Sequence, residues 1–520
     1  MMYTLIKLAI LVAVLVVVSV GLYLAKRHGE SRWAKVGDYV LVGLAVLSLM
    51  NYFNFAPLSP RPNYHDMFHY YVGSKYFQEI GYTRLYACVV RAEAESDSLP
   101  VRTQAYMRNV TDLKIDKAVP ARLYFFDETF CKAHFSTARW NGFKDDVSFF
   151  HSRAGKEVWD RTMLDHGFNP SPIWEMAGGF VSNSLPLSDT ALVRIGQIDV
   201  ALLFGSVACL VWAFGLPTAA FAVIAFTALE AVDFGWCGGS LLRFDWFFLA
   251  VFSVSAMKRG YFILAGLALG YAAMLRVFPA VFLIGPFIGL LYAGYKRQHD
   301  LKVAYGKFFG GLFFSVVVLV VSASAIYGEE SIWAFLDNSR KHSAATSTNT
   351  VGLRTVLTYN PDTSERRAFE GRPPIPPSVW RKAKVEARQK VGLVYAAVVA
   401  AALLLFIPAV MSGGAWQAVA LGASFVPFAW VELTNYYYVF LAVIATLFSV
   451  NRKVAFPLLG IGIVSAIAAL CHEWLVDDKT YTIFSAAASI GFPVVWWQVT
   501  SRRGAKSGLQ SQTQTSYPTA

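Results

Sequence analysis

Apolar runs of 18 or more residues recur along the chain, the length a helix needs to cross roughly 30 Å of hydrocarbon. Thirteen candidate spans follow, at about 4–25, 36–55, 191–214, 217–235, 245–257, 261–275, 277–295, 308–327, 391–411, 416–432, 435–450, 454–471 and 481–499. Those at 245–257 and 261–275 are short and read as tilted or partly re-entrant. The pattern predicts an all-α polytopic membrane protein. The first run ends in Lys26-Arg27 without a small-residue cleavage site, so it reads as a retained helix rather than a removed signal peptide.

Two long polar intervals divide the spans. The predicted organisation is 1–55, two helices; 56–190, a mostly helical outer cap; 191–327, helices three to eight; 328–390, a second outer loop; 391–500, helices nine to thirteen; and 501–520, a disordered cytoplasmic tail. Orientation follows from the short basic loops "KRHGESRWAK", "KRG", "KRQHDLK", "NRK" and "RRGAK", which fall on one side if thirteen spans alternate. That side is the cytoplasm, which puts the N-terminus outside. The basic stretch 366–390 lands outside. It reads either as an amphipathic helix on the outer leaflet that holds anionic lipids or as a solvated linker.

Composition agrees with a membrane protein: 56% of residues are hydrophobic and 15% charged, and the mean hydropathy is +0.45. The net charge of +12 points to lipid head groups or phosphate-bearing substrates rather than nucleic acid. Zinc-like Cys/His spacing, a P-loop, G-x-G-x-x-G and long repeats are absent. Cys88 and Cys131 both lie in the first outer loop, where an oxidising compartment permits a disulfide. Two unrelated thiols are the alternative.

The chemistry-bearing residues collect where helices meet the outside. Asp66 follows the second span, and Glu230 and Asp233 close the fourth. Arg243 and Asp245 sit between the fourth and fifth, and Arg276 stands between two short spans. "DNSRKHSAATSTNTVGLRTVL" (337–357), with Lys341, follows the eighth, and "ELTNYYY" (432–438) joins the tenth and eleventh. Ionisable groups near a membrane interior are expensive, so their first reading is functional. Tyr70, Tyr71, Tyr436, Tyr437 and Tyr438 read instead as an interfacial aromatic belt. One acid with several neighbouring bases is the minimum set for moving a sugar from a polyprenyl phosphate to a hydroxyl. The carboxylate takes the hydroxyl proton, and the cations stabilise the departing phosphate.

"YHDMFHYY" followed by "EIGYTRLY", "MKRGYFILAGLALGYAAMLRVFPAVFLIGPFIGLL" (257–291) and "HSAATSTNTVGLRTVL" (342–357) resemble the GT-C superfamily of integral-membrane glycosyltransferases. The likeness is greatest to its bacterial branch of polyprenyl-phosphate-dependent mannosyltransferases, and it covers about a fifth of the chain locally. It implies a catalytic base at Asp66, a donor-phosphate contact at Arg276, and a sugar or phosphate pocket lined by His342 and Asn349. Arg243, Asp245 and Lys341 are assigned to substrate binding by topology. The family's acid follows its first span; here it follows the second, so an additional N-terminal helix is implied.

If 65–80 is helical, Asp66 and His69 share a face and His65 points away. His69 is assigned to substrate binding; it then orients Asp66 or binds a metal beside it, with Asp145-Asp146 as a second acid. No metal and no cofactor is expected. The expected partners are membrane lipids, a lipid-linked sugar donor and a glycan or glycolipid acceptor in a bacterial inner membrane. Mannose is the sugar the resemblance favours, and arabinose is the other. Competing readings are a polymerase or ligase of lipid-linked glycans, and a transporter, which calls for inverted repeats and mid-membrane charges.

Overall fold

The computed structural model describes residues 1–28, 32–56, 61–96, 106–108, 118–120, 124, 129–364, 377–429 and 432–506. Seven of the described helices are long and apolar enough to cross a membrane: Met2–Arg27, Asp189–Phe214, Phe278–Tyr295, His299–Tyr327, Gly392–Ser412, Arg452–Leu470 and Asp477–Ser501. Leu216–Thr227 with Glu230–Cys237 is an eighth if a pair bent by 81° counts as one. The architecture is therefore helical and polytopic. Other apolar runs form shorter pieces: Asp245–Lys258 and Phe262–Leu275 have 14 residues each, and Ala415–Ser424 has 10.

The 81° bend has a local cause. Glu230 and Asp233 turn toward Lys7 on the first helix, with ion pairs of 2.8 and 2.6 Å, and Thr4 Oγ1 donates to Glu230 Oε1 at 3.0 Å. These two acids are thus structural partners of a lysine with no exposed side-chain surface.

Small residues let other helices touch. A Cβ at Gly266 would run into the carbonyl oxygen of Phe308, and one at Gly311 into that of Ile263. Phe262–Leu275 and His299–Tyr327 therefore pack backbone to backbone. Polar contacts gather at the two ends of the helices. Asp38 pairs with Arg452 at 2.8 Å, Lys258 lies over Trp416 at 5.1 Å and Arg259 over Trp212 at 5.4 Å. The opposite end holds the Lys7 cluster and the segment 61–188.

Its described residues form short helices, the antiparallel strand pair Tyr106–Arg108 and Ala118–Pro120, the longer Thr137–Thr162, which kinks at Gly155, and Pro172–Ser184. Ser136, Ser171 and Ser188 each cap a helix that follows them. The sequence left the state of Cys88 and Cys131 open; they form a disulfide across 43 residues. Closing a loop of that length is worth about 4 kcal/mol in the chain-entropy picture. Cys131→Ser is expected to lower the temperature of irreversible inactivation in detergent, and a reductant should shift the wild type to the same value.

Asp146 is buried, paired with Lys75 at 2.7 Å and bonded by Tyr76 at 2.9 Å. It is a packing group and not a second acid beside Asp66. The basic stretch forms the helix Pro377–Lys390; its "RPPIPP" lead-in lies largely outside the described residues. Two of its cations turn inward. Lys384 Nζ donates to Ser347 O at 3.0 Å, and Arg388 pairs with Glu432. The helix clamps the second loop to the segment at 432–438. The last helix, His472–Lys506, runs into the stretch expected to be a disordered tail, and 507–520 lie outside the described residues.

Candidate active site

Two segments far apart in sequence dock through a glycine. Asn63 N donates to Gly239 O at 2.9 Å. Gly239 has a φ of +70°, and a Cβ there would meet the carbonyl oxygen of Arg61. Conformation and space both exclude a side chain. Gly239→Ala is expected to cost about 1–2 kcal/mol from the backbone alone and to part the two segments; thermal stability and turnover measured together would register both effects.

Asn63 caps the turn Tyr64–Met67 by accepting from Asp66 N at 3.2 Å. Its Nδ2 donates to Asp66 Oδ2 at 2.9 Å and to Trp236 O at 3.1 Å. Ser240 Oγ donates to the same Oδ2 at 2.9 Å, and Arg243 Nη2 pairs with it at 2.5 Å. The donors converge on one oxygen. Among the described residues, Oδ1 accepts no hydrogen bond, and the Asp66 side chain stays 18% exposed.

Arg243 is held on a strained loop. Leu242 has a φ of 48°, unusual for a branched residue. The backbone N–H groups of Arg243 and Phe244 donate to the two oxygens of Asp199 at 3.1 and 3.0 Å. Trp174 Nε1 donates to Leu242 O at 3.2 Å, and Ser171 Oγ to Met274 O at 2.7 Å, so the helix Pro172–Ser184 braces both basic turns.

The Arg243 guanidinium lies over Tyr436 at 4.6 Å and within 5.9 Å of Tyr70. Arg276 also lies 5.9 Å from Tyr70, and 5.8 Å from Trp174. Arg276 Nη1 reaches only Leu275 O, at 3.5 Å, and its buried Nε has no partner among the described residues. Asp245 is close enough for the Arg276 charge to act on its carboxyl, and its Oδ1 accepts from Trp246 N at 2.7 Å. Asp66, Arg243, Arg276 and Asp245 are thus gathered about Tyr70. The tyrosines are not an interfacial belt: Tyr71 and Tyr438 are fully buried, while Tyr70 and Tyr436 stack on guanidinium groups.

On the other face of the Asp66 turn lie histidines. His69 packs on His65, ring centroids 4.8 Å apart, and not on Asp66. The two histidines are i and i+4, neighbours on one face of a helical turn, and the chain continues from Phe68 to Val72 as a π turn. His65 bonds Thr162 and Asp165, and Asp165 bonds His166. His342 lies with its ring 5.7 Å from that of His166. Burial, then the charge of His65, pushes the His69 ring down to about 4. Burial and His166 push His342 to about 3. Burial opposes the charged form of His65 too, but its bond to Asp165 and that carboxylate's charge raise it.

Lys341 pairs with Asp337 at 2.6 Å and lines a cavity of about 290 Å³ with Gln78, Tyr82, Arg84 and Asn338. Asn349 accepts from Ser347 Oγ at 2.5 Å, and its carbonyl accepts from Asn435 N at 2.9 Å beside the strand pair Thr350–Val351 and Leu433–Thr434. No hydrogen bond or ion pair joins Lys341, His342 or Asn349 to Asp66, Arg243 or Arg276. Sequence reasoning passed over Asn63, Ser240, Asp165 and His166. The i,i+4 spacing of His65 and His69 and the Asp165-His166 pair were the available signals for the histidine side. The chain matches no protein-family profile, no curated protein and no solved structure.

Proposed function

We propose that the chain is a glycosyltransferase of GT-C type that moves a sugar from a polyprenyl-phosphate donor to a hydroxyl of a glycan or glycolipid. The observation that carries the reading is a carboxylate fixed by one oxygen beside a buried guanidinium with unused donors. Asp66 Oδ2 is held by Arg243, Ser240 and Asn63, leaving Oδ1 for the acceptor hydroxyl. As that oxygen bonds to the anomeric carbon, its proton passes to Asp66. The bond from the anomeric carbon to the phosphate oxygen breaks, and the electron pair leaves with the lipid phosphate. Arg276, one tyrosine away from Arg243, stabilises that charge. The aromatic rings around both cations exclude water and strengthen the interaction.

The same reading has thirteen crossings, an outward N-terminus, an outer cap at 56–190 and a bacterial inner membrane. The disulfide supports an oxidising side for 61–188, and the grouping of loop contacts at two ends supports the alternation. The transporter reading calls for a mid-membrane charge free to bind cargo. Asp199 is a buried acid within an apolar helix, yet both its oxygens are engaged by backbone N–H groups.

The test is transfer by the purified protein from a panel of polyprenyl-phosphate sugars, mannose and arabinose first, to membrane glycolipid extracts. Turnover with one donor is the expected result. Absence of transfer from every donor, with the protein folded and extracts that support transfer by the source membranes, would turn the assignment toward the polymerase or ligase reading.

A further inference from the structure

We propose that His65, His69 and Asp165 form a binding site for a divalent transition-metal ion of the zinc class. Their ligand atoms lie within 4.8 Å of one another. The proposal goes beyond the transferase reading and does not rest on it.

The hydrogen-bond partners suit the tautomers that metal-bound histidines adopt. Thr162 Oγ1 donates its single proton to Val158 O at 2.8 Å. In the tautomer with its proton on Nδ1, His65 donates to this hydroxyl from 2.9 Å. His65 Nε2 is then the lone-pair nitrogen, and it faces Asp165 Oδ2 at 3.2 Å. His69 Nδ1 lies 2.8 Å from the carbonyl oxygen of His65, which only accepts, so its Nε2 also carries a lone pair. In these tautomers two ring nitrogens and a carboxylate oxygen lie within 4.8 Å of one another, a donor set that one cation can bridge.

The spacing and the surroundings suit a metal. Bonds of about 2.0–2.1 Å put neighbouring ligands of a tetrahedral zinc about 3.3 Å apart, close to the His65–Asp165 separation. Both rings already have the outer partners that orient metal-bound histidines, a threonine and a carbonyl. Asp165 is oriented by His166 Nδ1 at 3.1 Å. Next to His166 stands His342, whose buried Nε2 has no partner among the described residues and is a further nitrogen at hand. Imidazole with carboxylate selects zinc, iron or cobalt over magnesium or calcium. Without the ion, Tyr86 OH occupies His69 Nε2 at 2.7 Å; the metal takes its place and draws His69 inward. The other cation that fits is a proton on His65.

The experiment uses the full chain, free of any histidine tag, in detergent and stripped with chelator. Zinc alone is titrated against a chromophoric chelator, and cobalt alone is followed by visible absorption. One zinc per chain is expected. His65→Gln and Asp165→Asn should each weaken it at least ~10-fold, and His299→Gln, at an exposed histidine, should leave it unchanged. Equal zinc affinity in the wild type and both site variants would overturn the proposal and leave the proton in the site. Should the variants fail to fold, the wild-type cobalt spectrum decides: intense tetrahedral bands support the site, and their absence removes it.

Discussion

Asp66→Asn is expected to lower sugar transfer by about 10²–10⁴-fold, the usual worth of a positioned general base, with the chain still folded. Asparagine keeps the shape of the side chain and an oxygen for Ser240, Arg243 and Asn63 to bond. What it loses is the capacity to take a proton at the position of Oδ1. The loss should fall on the chemical step, so single-turnover transfer measures it and donor binding should change little. Transfer that survives the substitution would remove Asp66 as the base and leave the transferase class to be judged on the donor panel. The nearby histidines make poor substitutes, because they lie across the turn, on the side facing Asp165 and Tyr86.

Arg243→Ala should be the most damaging change for stability. The guanidinium is 8% exposed and the Asp66 carboxylate 18%. Removing one partner of such a pair leaves the other charge uncompensated, at about 3–5 kcal/mol. The stacked contacts with Tyr436 and Tyr70 go as well. The loop that carries residue 243 remains pinned at Asp199, so the backbone should hold its path while the carboxylate turns away. Arg243→Lys keeps a charge but loses the planar stack and the fork of donors. Its expected place is between alanine and wild type, in both thermal inactivation and turnover. Equal damage by lysine and alanine would mean that the planar group, and not its charge, holds the site.

How far the sequence could foresee this depended on range. The apolar runs announced helices because length and composition act locally. They did not mark which runs form one long helix and which break into short ones such as Ala415–Ser424, because the number of turns that fit depends on neighbours. Asp66, Arg243, Arg276 and Asp245 were legible as one group because charges are rare near apolar runs and alternation put them at one end. Their actual joints were not. Gly239 against Arg61, Asp199 against the backbone of residue 243, and Ser240 against Asp66 join stretches far apart in the chain, and nothing in a local pattern marks them. His69 packs on His65, its i+4 partner, rather than on Asp66 at i+3; both spacings share a helix face, and which pair meets is decided by the partners around them. Lys384 and Arg388 looked like surface charge until their partners, a carbonyl and Glu432, supplied a reason to be buried.

Asp199 also bears on how the chain enters the membrane. Its helix, Asp189–Phe214, is made some 44 residues before the loop whose N–H groups its carboxylate receives. During synthesis the helix therefore emerges with an acid about 15 Å along its axis and no partner yet made. Insertion scales charge about 2.5–3.5 kcal/mol for such a residue at a helix centre. The debt is discharged only when the next hairpin arrives and its loop folds back, so this helix has reason to wait at the translocon for its successor. An Asp199→Leu chain would insert more readily and assemble less well, with two N–H groups stranded where no water can reach them.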